Sequence, residues 1–201
     1  MTAVFSTAYL PPIAWVATLL QQTGPLLIEA KETFPKQTYR NRMEIMTAGG
    51  VRTLTVPVIK ENHSRTEEVA IDYKERWNVI HLRTLAAAYS ASPYFLYYKD
   101  DLEALLTPHY ERLMDLNDAL LKWVLRMLKT ERPLRRTEDY RKEYELDFRN
   151  VFSPKIPYPT EGMESYYQVF SDRVPFTPNL SIIDLLMNLG PEATDYLKKI
   201  A

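Results

Sequence analysis

The first 29 residues constrain the fold more than any other part of the chain. Residues 4–6, which begin with two apolar side chains, predict a short buried strand, and residues 12–22 predict a helix with Pro12 in its first turn. Residues 26–28, followed by Glu29, predict a second strand. A strand, a helix and a strand within about 30 residues form a βαβ unit, whose strands are parallel and whose crossover is right-handed. We therefore predict an α/β domain with its ligand site outside the carboxyl ends of the strands.

The remaining elements predict a small mixed sheet covered by amphipathic helices. A hairpin is expected from residues 43–46 and 52–58, because Gly49 and Gly50 between them suit a tight turn. Apolar residues at three- and four-residue steps predict three helices between residues 75 and 128 and another at residues 181–189. We expect residues 1–129 to form an α/β core domain that carries the site. Residues 130–201, first charged and then proline-rich, are expected to form an extended and helical C-terminal segment that packs back on this domain.

The charge and cysteine content exclude several classes of protein. The net charge of −1 provides no overall field for binding nucleic acid or an acidic membrane. The charged run at residues 130–149 mixes both signs and predicts a solvated face and not an RNA site. The chain has no cysteine, which excludes disulfides, Cys-based zinc sites and a Cys nucleophile. No apolar stretch approaches the roughly 20 residues of a membrane span, and no signal peptide is recognisable. A cytoplasmic location is expected, and the cofactor and the oligomeric state stay open.

The loop at residues 36–42 is the strongest site candidate. It places Lys36, Arg40 and Arg42 around Tyr39 and Asn41. Lys is a mobile point charge and Arg a planar fork, so the mixture suits phosphate or carboxylate, and a Tyr ring can stack on a ligand. Both glycine-rich phosphate-binding fingerprints are missing, so side chains would bind the anion. The alternative is a solvated basic strand edge that discourages aggregation.

A histidine and an asparagine on predicted helix faces are further candidates. His81 lies four residues after Trp77 and shares its apolar face, where it would serve as a general acid or base or as a buried structural histidine. Asn117 faces the core, where its amide binds either a ligand or a backbone group. Glu29 and Asp72 are possible acids, although Asp72 also suits a helix cap. The three histidines are too scattered for a metal motif, so no metal site is expected.

Several segments, in their order and spacing, resemble the WbqC-like proteins in the form found in Bacteroidetes. The resemblance covers nearly the whole chain. The matching segments are Tyr9-Leu10-Pro11-Pro12, residues 36–42, Leu54-Thr55-Val56-Pro57-Val58, Trp77 with His81, Tyr89 with Ser92-Pro93-Tyr94-Phe95, Leu116-Asn117, and residues 176–193.

The resemblance implies a role in surface-polysaccharide biosynthesis, because the family is named after a member encoded among O-antigen genes. One departure affects the site. Many members have His-Gln-Pro before the Tyr-Leu-Pro segment, whereas this chain has Ser6-Thr7-Ala8. If that histidine is needed for catalysis, the chemistry of this chain is altered or depends on His81.

These observations lead to three functional hypotheses. The first is a transferase that moves an acyl or aminoacyl group onto an activated sugar or glycan precursor, with His81 as the catalytic base. The second is a non-catalytic binding protein for a nucleotide or an anionic sugar. The third is an assembly partner in a biosynthetic complex, with an apolar patch within residues 151–159. The predicted substrate-binding residues are Tyr9, Lys36, Tyr39, Arg40, Asn41, Arg42, Trp77 and Asn117.

Overall fold

The βαβ unit predicted at the N-terminus is present at the centre of the computed structural model, which describes residues 1–200. Strand β1 (Ala3–Ser6), helix α1 (Ile13–Gln21) and strand β2 (Leu26–Glu29) follow one another. The two strands are parallel, in register from Ala3 opposite Leu26 to Ser6 opposite Glu29. Every residue of β1 is buried, as expected for a parallel strand covered on both faces.

Two short strands from the charged segment complete the central sheet. Strands β7 (Leu134–Arg136) and β8 (Leu146–Asp147) give a parallel sheet in the order β7-β2-β1-β8. This segment is predicted from sequence to be a solvated face. Arg135 and Arg136 are indeed exposed, but their backbone pairs with β2, so the prediction is wrong in leaving both strands out. Edge strands tolerate charged side chains, which hides them from a search for apolar alternation.

The antiparallel strands form two separate ribbons beside the parallel sheet. The predicted hairpin consists of β3 (Arg42–Thr47) and β4 (Gly50–Thr55), and Gly50 has the positive φ (98°) that the turn requires. A second ribbon pairs β5 (Val58–Ile59) with β6 (Ala70–Ile71). The α/β class is thus confirmed, with the parallel and antiparallel strands in different sheets.

Five further helices cover these strands and share one hydrophobic cluster with them. They are α2 (Trp77–Tyr89), α3 (Phe95–Leu106), α4 (Leu113–Met127), α5 (Ile182–Leu189) and α6 (Ala193–Lys199). Helix α5 is buried at all but its last residue, so the C-terminal part of the chain is a central part of the core. Within residues 1–200, no helix has both the length and the apolar character needed to cross a membrane.

The parallel topology gathers four chain segments at one edge of the sheet. The carboxyl ends of β1, β2, β7 and β8 lead into residues 7–9, 30–32, 137 and 148–149. The start of α1 lies beside the C-terminal segment, where Asn179 Oδ1 accepts the N–H of Ala14 at 2.9 Å and the Leu180 carbonyl accepts that of Ile13 at 2.9 Å. These contacts cap α1 from a segment more than 160 residues away in the chain.

Candidate functional site

The predicted cationic loop lies at this sheet edge, but two of its predicted binding residues are buried. Lys36 is exposed, whereas Arg40 and Asn41 are only 2% and 7% exposed. The backbone of the loop is tied to the core, because the Tyr39 carbonyl accepts the N–H of Tyr9 at 2.9 Å. The loop is therefore a fixed part of the scaffold, and its charged side chains do not point together into solvent.

Arg40 is paired within the protein. Its Nη2 and Nε lie 2.7 and 2.8 Å from Glu32 Oε1, and Nη2 also donates to the Arg149 carbonyl at 3.3 Å. Burial raises the pKa of Glu32, and the adjacent Arg40 charge works in the opposite direction. Because a buried ion pair is costly to separate, Arg40 is held by Glu32 in this arrangement, and its role in binding a substrate stays a prediction.

Asn41 and Arg42 continue the loop into the hairpin. Asn41 Nδ2 donates to the Val56 carbonyl at 2.8 Å, and the Val56 N–H donates back to the Asn41 carbonyl at 2.8 Å. Arg42 is half-buried at the start of β3, and its Nε is buried without a hydrogen-bond partner among the described residues. Asn41 thus fixes the loop, and Arg42 is left with unused hydrogen-bonding capacity.

A second buried ion network, which sequence reasoning missed, stands beside the first. Arg149 Nη1 lies 2.9 Å from Glu29 Oε2, and Arg149 Nε donates to Asp147 Oδ1 at 3.0 Å. Glu29 is fully buried, and its Oε1 accepts from Thr137 Oγ1 at 2.7 Å and from the Lys31 N–H at 2.8 Å. Hydrogen bonding to Arg149 lowers the pKa of Asp147. Glu29 was recognisable as a possible acid because it follows a predicted strand. Arg149 lies in the charged run at residues 130–149, where no local feature distinguishes it from the other arginines.

Asn117 connects the segment that follows β1 to the loop at residues 36–42. Its Nδ2 donates to Thr7 Oγ1 at 3.0 Å and to the Arg40 carbonyl at 2.8 Å. Its Oδ1 is buried without a hydrogen-bond partner in residues 1–200. The amide therefore binds a backbone group, one of the two outcomes expected from sequence. Thr7, from the segment that replaces His-Gln-Pro, supplies the other acceptor.

Tyr9, Trp77 and His81 form a buried aromatic cluster, as the helical spacing predicts for the last two. The hydroxyl of Tyr9 lies 2.9 Å from His81 Nδ1, and the Trp77 ring meets the His81 ring edge-on at 5.2 Å. His81 is 3% exposed. Its burial lowers its pKa to about 4, outweighing a hydrogen bond with the Thr55 backbone that raises it. The ring is therefore neutral at pH 7, and its Nδ1 is hydrogen-bonded to the Tyr9 hydroxyl.

This environment matches the structural alternative for His81 that the sequence left open. The ring is almost completely buried, and its Nδ1 is engaged by the hydroxyl of Tyr9. Its role as a general base stays a prediction. The other acid and histidine candidates have local partners: Asp72 Oδ1 accepts the Lys74 N–H at 2.9 Å, and His109 stacks on Tyr73 at 4.0 Å. Among residues 1–200, no set of three or more His, Asp and Glu side chains is placed to hold a metal ion.

A small cleft lies beside the loop, and the half-buried ring of Tyr39, a predicted binding residue, lines it. This Tyr39 cleft has a volume of about 240 Å³. Tyr39 donates its hydroxyl to Glu44 Oε2 at 2.9 Å, and burial followed by the Glu44 charge raises the pKa of Tyr39. Across the cleft, Tyr158 stacks on Phe152 at 5.1 Å. Among the residues that line it are Pro12, Tyr39, Glu44, Tyr158, Thr160 and Asn179.

Sequence reasoning missed most of the polar side chains of the Tyr39 cleft, among them Glu44, Tyr158 and Asn179. Glu44 lies within a predicted strand, where its alternation with Met43 and Ile45 indicated only a solvent-facing position. Asn179 reaches the cleft through its left-handed backbone (φ 56°), and its Oδ1 caps α1, so its Nδ2 is not used in this cap. Tyr158 comes from the proline-rich stretch. No local pattern joins these positions, because they are brought together only by tertiary packing.

The comparisons with known proteins agree with the resemblance noted in the sequence. The model of the WbqC-like protein family matches residues 7–153 and 155–196. The chain is 28% identical to the uncharacterized protein Rv1507c of Mycobacterium tuberculosis, in a match that covers 82% of this chain and 84% of that protein. No solved structure matches the chain. Because the family model spans almost all of the chain, including the loop, the hairpin and the segment around Asn179, the protein belongs to the WbqC-like protein family.

Proposed function

We propose that the protein binds the sugar ring of a glycan precursor in the Tyr39 cleft and takes part in transferring an acyl or aminoacyl group onto that sugar. The observation that carries the proposal is the hydrogen-bonded Tyr39–Glu44 pair in the wall of a cleft of about 240 Å³. That volume is slightly below the roughly 300 Å³ at which pockets for drug-sized ligands begin, and it suits a ligand about the size of one sugar ring.

The chemistry of the lining supports a sugar in preference to a free anion. Tyr39 and Tyr158 offer ring faces with polar tips, Glu44 offers a carboxylate acceptor, and Asn179 and Thr160 offer an amide and a hydroxyl. Sugar hydroxyls both donate and accept, so they match this mixture. An anion alone would meet the Glu44 charge without a paired cation in the lining.

The positions of the family segments support the same cleft. Pro12 belongs to Tyr9-Leu10-Pro11-Pro12, Tyr39 to the loop, and Asn179 to the C-terminal segment that resembles the family. The O-antigen association implied by the resemblance is the reason to expect a glycan precursor. The anionic part of such a precursor, if it lies near the loop, has Lys36 and Arg42 available, since Arg40 is paired with Glu32.

Binding is tested by a thermal-shift screen with nucleotide sugars. A bound ligand raises the melting temperature of the wild type by linkage, because it binds only the folded state. We expect Tyr39→Ala and Glu44→Ala to abolish this shift, while Glu75→Ala, which removes an exposed carboxylate that does not line the cleft, leaves it intact. If no nucleotide sugar stabilises the wild type, or if the two cleft variants respond like the control, the proposed site is wrong.

Catalysis is tested separately with coenzyme A thioesters or aminoacyl donors and a sugar that binds. In the proposed step, Glu44 accepts the proton of the sugar hydroxyl or amine while its oxygen or nitrogen bonds to the acyl carbon of the donor. The bond from that carbon to the donor's sulfur or oxygen breaks, and the donor leaves as a thiol or alcohol after taking up the proton. Glu44→Gln should retain most of the affinity and lose turnover by about 10²- to 10⁴-fold, the usual contribution of general base catalysis. The same assay on His81→Asn tests whether His81, the base predicted from the sequence, is needed for turnover. Binding without turnover in the wild type would favour the non-catalytic binding protein.

A further inference from the structure

A basic groove lies at the carboxyl end of α4, outside the Tyr39 cleft. It has a volume of about 510 Å³ and four cationic side chains in its lining against the single carboxylate of Glu131. The cations are Lys122, Arg126, Lys129 and Arg132. Arg126 is already paired with Asp101 at 3.0 Å, which leaves three cations facing one acid. The groove therefore has a local positive charge in a protein whose net charge is −1.

The guanidinium group of Arg132 is the most informative part of the groove. Its Nε and Nη2 are buried and have no hydrogen-bond partner within residues 1–200. Buried guanidinium N–H groups nearly always have partners, because leaving them unpaired costs the full desolvation penalty. An acceptor oxygen from outside the chain would satisfy them once the half-buried Arg132 side chain turns toward the groove.

The usual structural explanation for cations at the end of a helix does not suffice here. Cations near a helix end commonly bind its last carbonyls, but here the carbonyls of Val124, Leu125 and Arg126 accept the backbone N–H groups of residues 128–130. Lys122 and Arg126 are also four residues apart on one helix, a spacing at which like charges repel. The cluster is therefore unfavourable for the protein alone and favourable once an anion lies between the side chains.

The surroundings select a compact anion over a long one. Arg132 also lines a larger neighbouring cleft of about 840 Å³, whose wall contains four carboxylates and four arginines: Glu138, Asp139, Glu143, Glu145, Arg132, Arg135, Arg136 and Arg141. The excess of positive charge is therefore confined to the groove and does not continue into this cleft as a track for the phosphates of a nucleic acid. A small molecule with a single phosphate or diphosphate group would place that group in the groove. Its uncharged hydroxyl-bearing or cationic part would then face the acids.

We propose that the groove formed by Lys122, Lys129 and Arg132 at the end of α4 binds the phosphate or diphosphate group of a small molecule. Lys side chains act as mobile point charges and Arg as a fork of donors, a combination suited to phosphate oxygens. This site is separate from the Tyr39 cleft and does not depend on the proposed function, since the two have no lining residue in common.

Isothermal titration calorimetry with inorganic pyrophosphate at low ionic strength tests the proposal. We expect the wild type to bind, and Arg132→Gln and Lys129→Asn each to weaken binding by about tenfold or more, the loss expected for one charge-assisted hydrogen bond. Lys129 has a left-handed backbone (φ 51°), which asparagine tolerates, so this variant should fold normally even if Arg132→Gln does not. Lys74→Gln is the matched control, because it removes one exposed lysine that does not line the groove.

Three results would overturn the proposal. The first is no binding of pyrophosphate to the wild type. The second is equal weakening in Lys129→Asn and Lys74→Gln, which would show that binding follows net charge alone. The third is tighter binding of an oligonucleotide than of pyrophosphate at the same ionic strength. Glu44→Ala should leave the pyrophosphate affinity unchanged, so failure of the Tyr39 cleft would not be mistaken for failure of this groove.

Discussion

Because the pKa of His81 is lowered in the folded protein, this one residue contributes measurably to the fall in unfolding free energy at acidic pH. In the folded protein its pKa is about 4, whereas in the unfolded chain it returns to about 6.5. The unfolded state therefore binds a proton first as the pH falls. The stability contribution of the neutral ring is complete above about pH 6.5 and is lost as the pH falls toward 4.

We expect this single group to remove about 2 kcal/mol of unfolding free energy between pH 7.5 and pH 5. Urea unfolding of the wild type and of His81→Gln at both pH values measures the effect. Burial raises the pKa of Glu32, but such carboxylates are present in both proteins, so their contribution cancels in the difference. The variant should lose about 2 kcal/mol less than the wild type on acidification. An equal loss in both proteins would mean that His81 is not held neutral.

At the scale of elements, α5 serves as the anchor for the segment that precedes it. Asp184 on α5 is fully buried and accepts hydrogen bonds from three side chains. Tyr89 Oη and Tyr166 Oη donate at 2.9 and 2.6 Å, and Gln168 Nε2 donates at 2.8 Å. Burial raises the pKa of this carboxyl, and the three donors act against that rise. Two of the donors come from the irregular chain before α5, so the carboxylate ties this chain to the core.

We predict that Asp184→Asn lowers the free energy of unfolding by about 2 to 4 kcal/mol, because an amide group replaces an acceptor that serves two donors. The loss should be accompanied by faster amide hydrogen exchange in residues 166–177, while exchange in β1 and β2 changes only in proportion to global stability. Asp172→Asn, an exposed carboxylate in the same segment, should change neither. Local exchange that is unaffected in Asp184→Asn would contradict the anchoring role.

At the scale of the whole molecule, the C-terminal third completes the sheet that the N-terminal part begins. Strands β7 and β8 occupy both edges of the β1–β2 pair, and α5 is buried in the shared hydrophobic cluster. We propose that the core residues 1–129 and the following segment form one cooperative domain. A fragment ending at residue 129 would expose both edges of a two-stranded sheet and the surface that α5 covers.

Such a fragment of residues 1–129 should therefore lack a cooperative thermal transition, whereas the full chain shows one. Circular dichroism and calorimetry of the two proteins give the comparison. Adding residues 130–201 in trans as a separate chain should restore the transition if the two parts assemble. A fragment that melts cooperatively on its own would show that the N-terminal part is an independent domain.

Local patterns alone determined the βαβ unit, the hairpin and the helices. Burial periodicity and turn-forming residues such as Gly50 act within a few residues, so they can be recognised in the sequence. The aromatic cluster was partly predictable for the same reason, since Trp77 and His81 lie one helical turn apart. Family membership also follows from the order of short segments along the chain.

Only the tertiary structure decided how the charged and polar side chains are used. Arg40 and Arg149 look like other arginines in the sequence, yet they are buried against Glu32 and against Glu29, which lies 120 residues from Arg149. A charge has no preferred burial of its own, and it is buried only where packing brings a partner close enough to offset its desolvation. The Tyr39 cleft likewise joins residues 12–44 to residues 152–179. Such distant pairings depend on how the whole chain packs, so no local pattern reveals them.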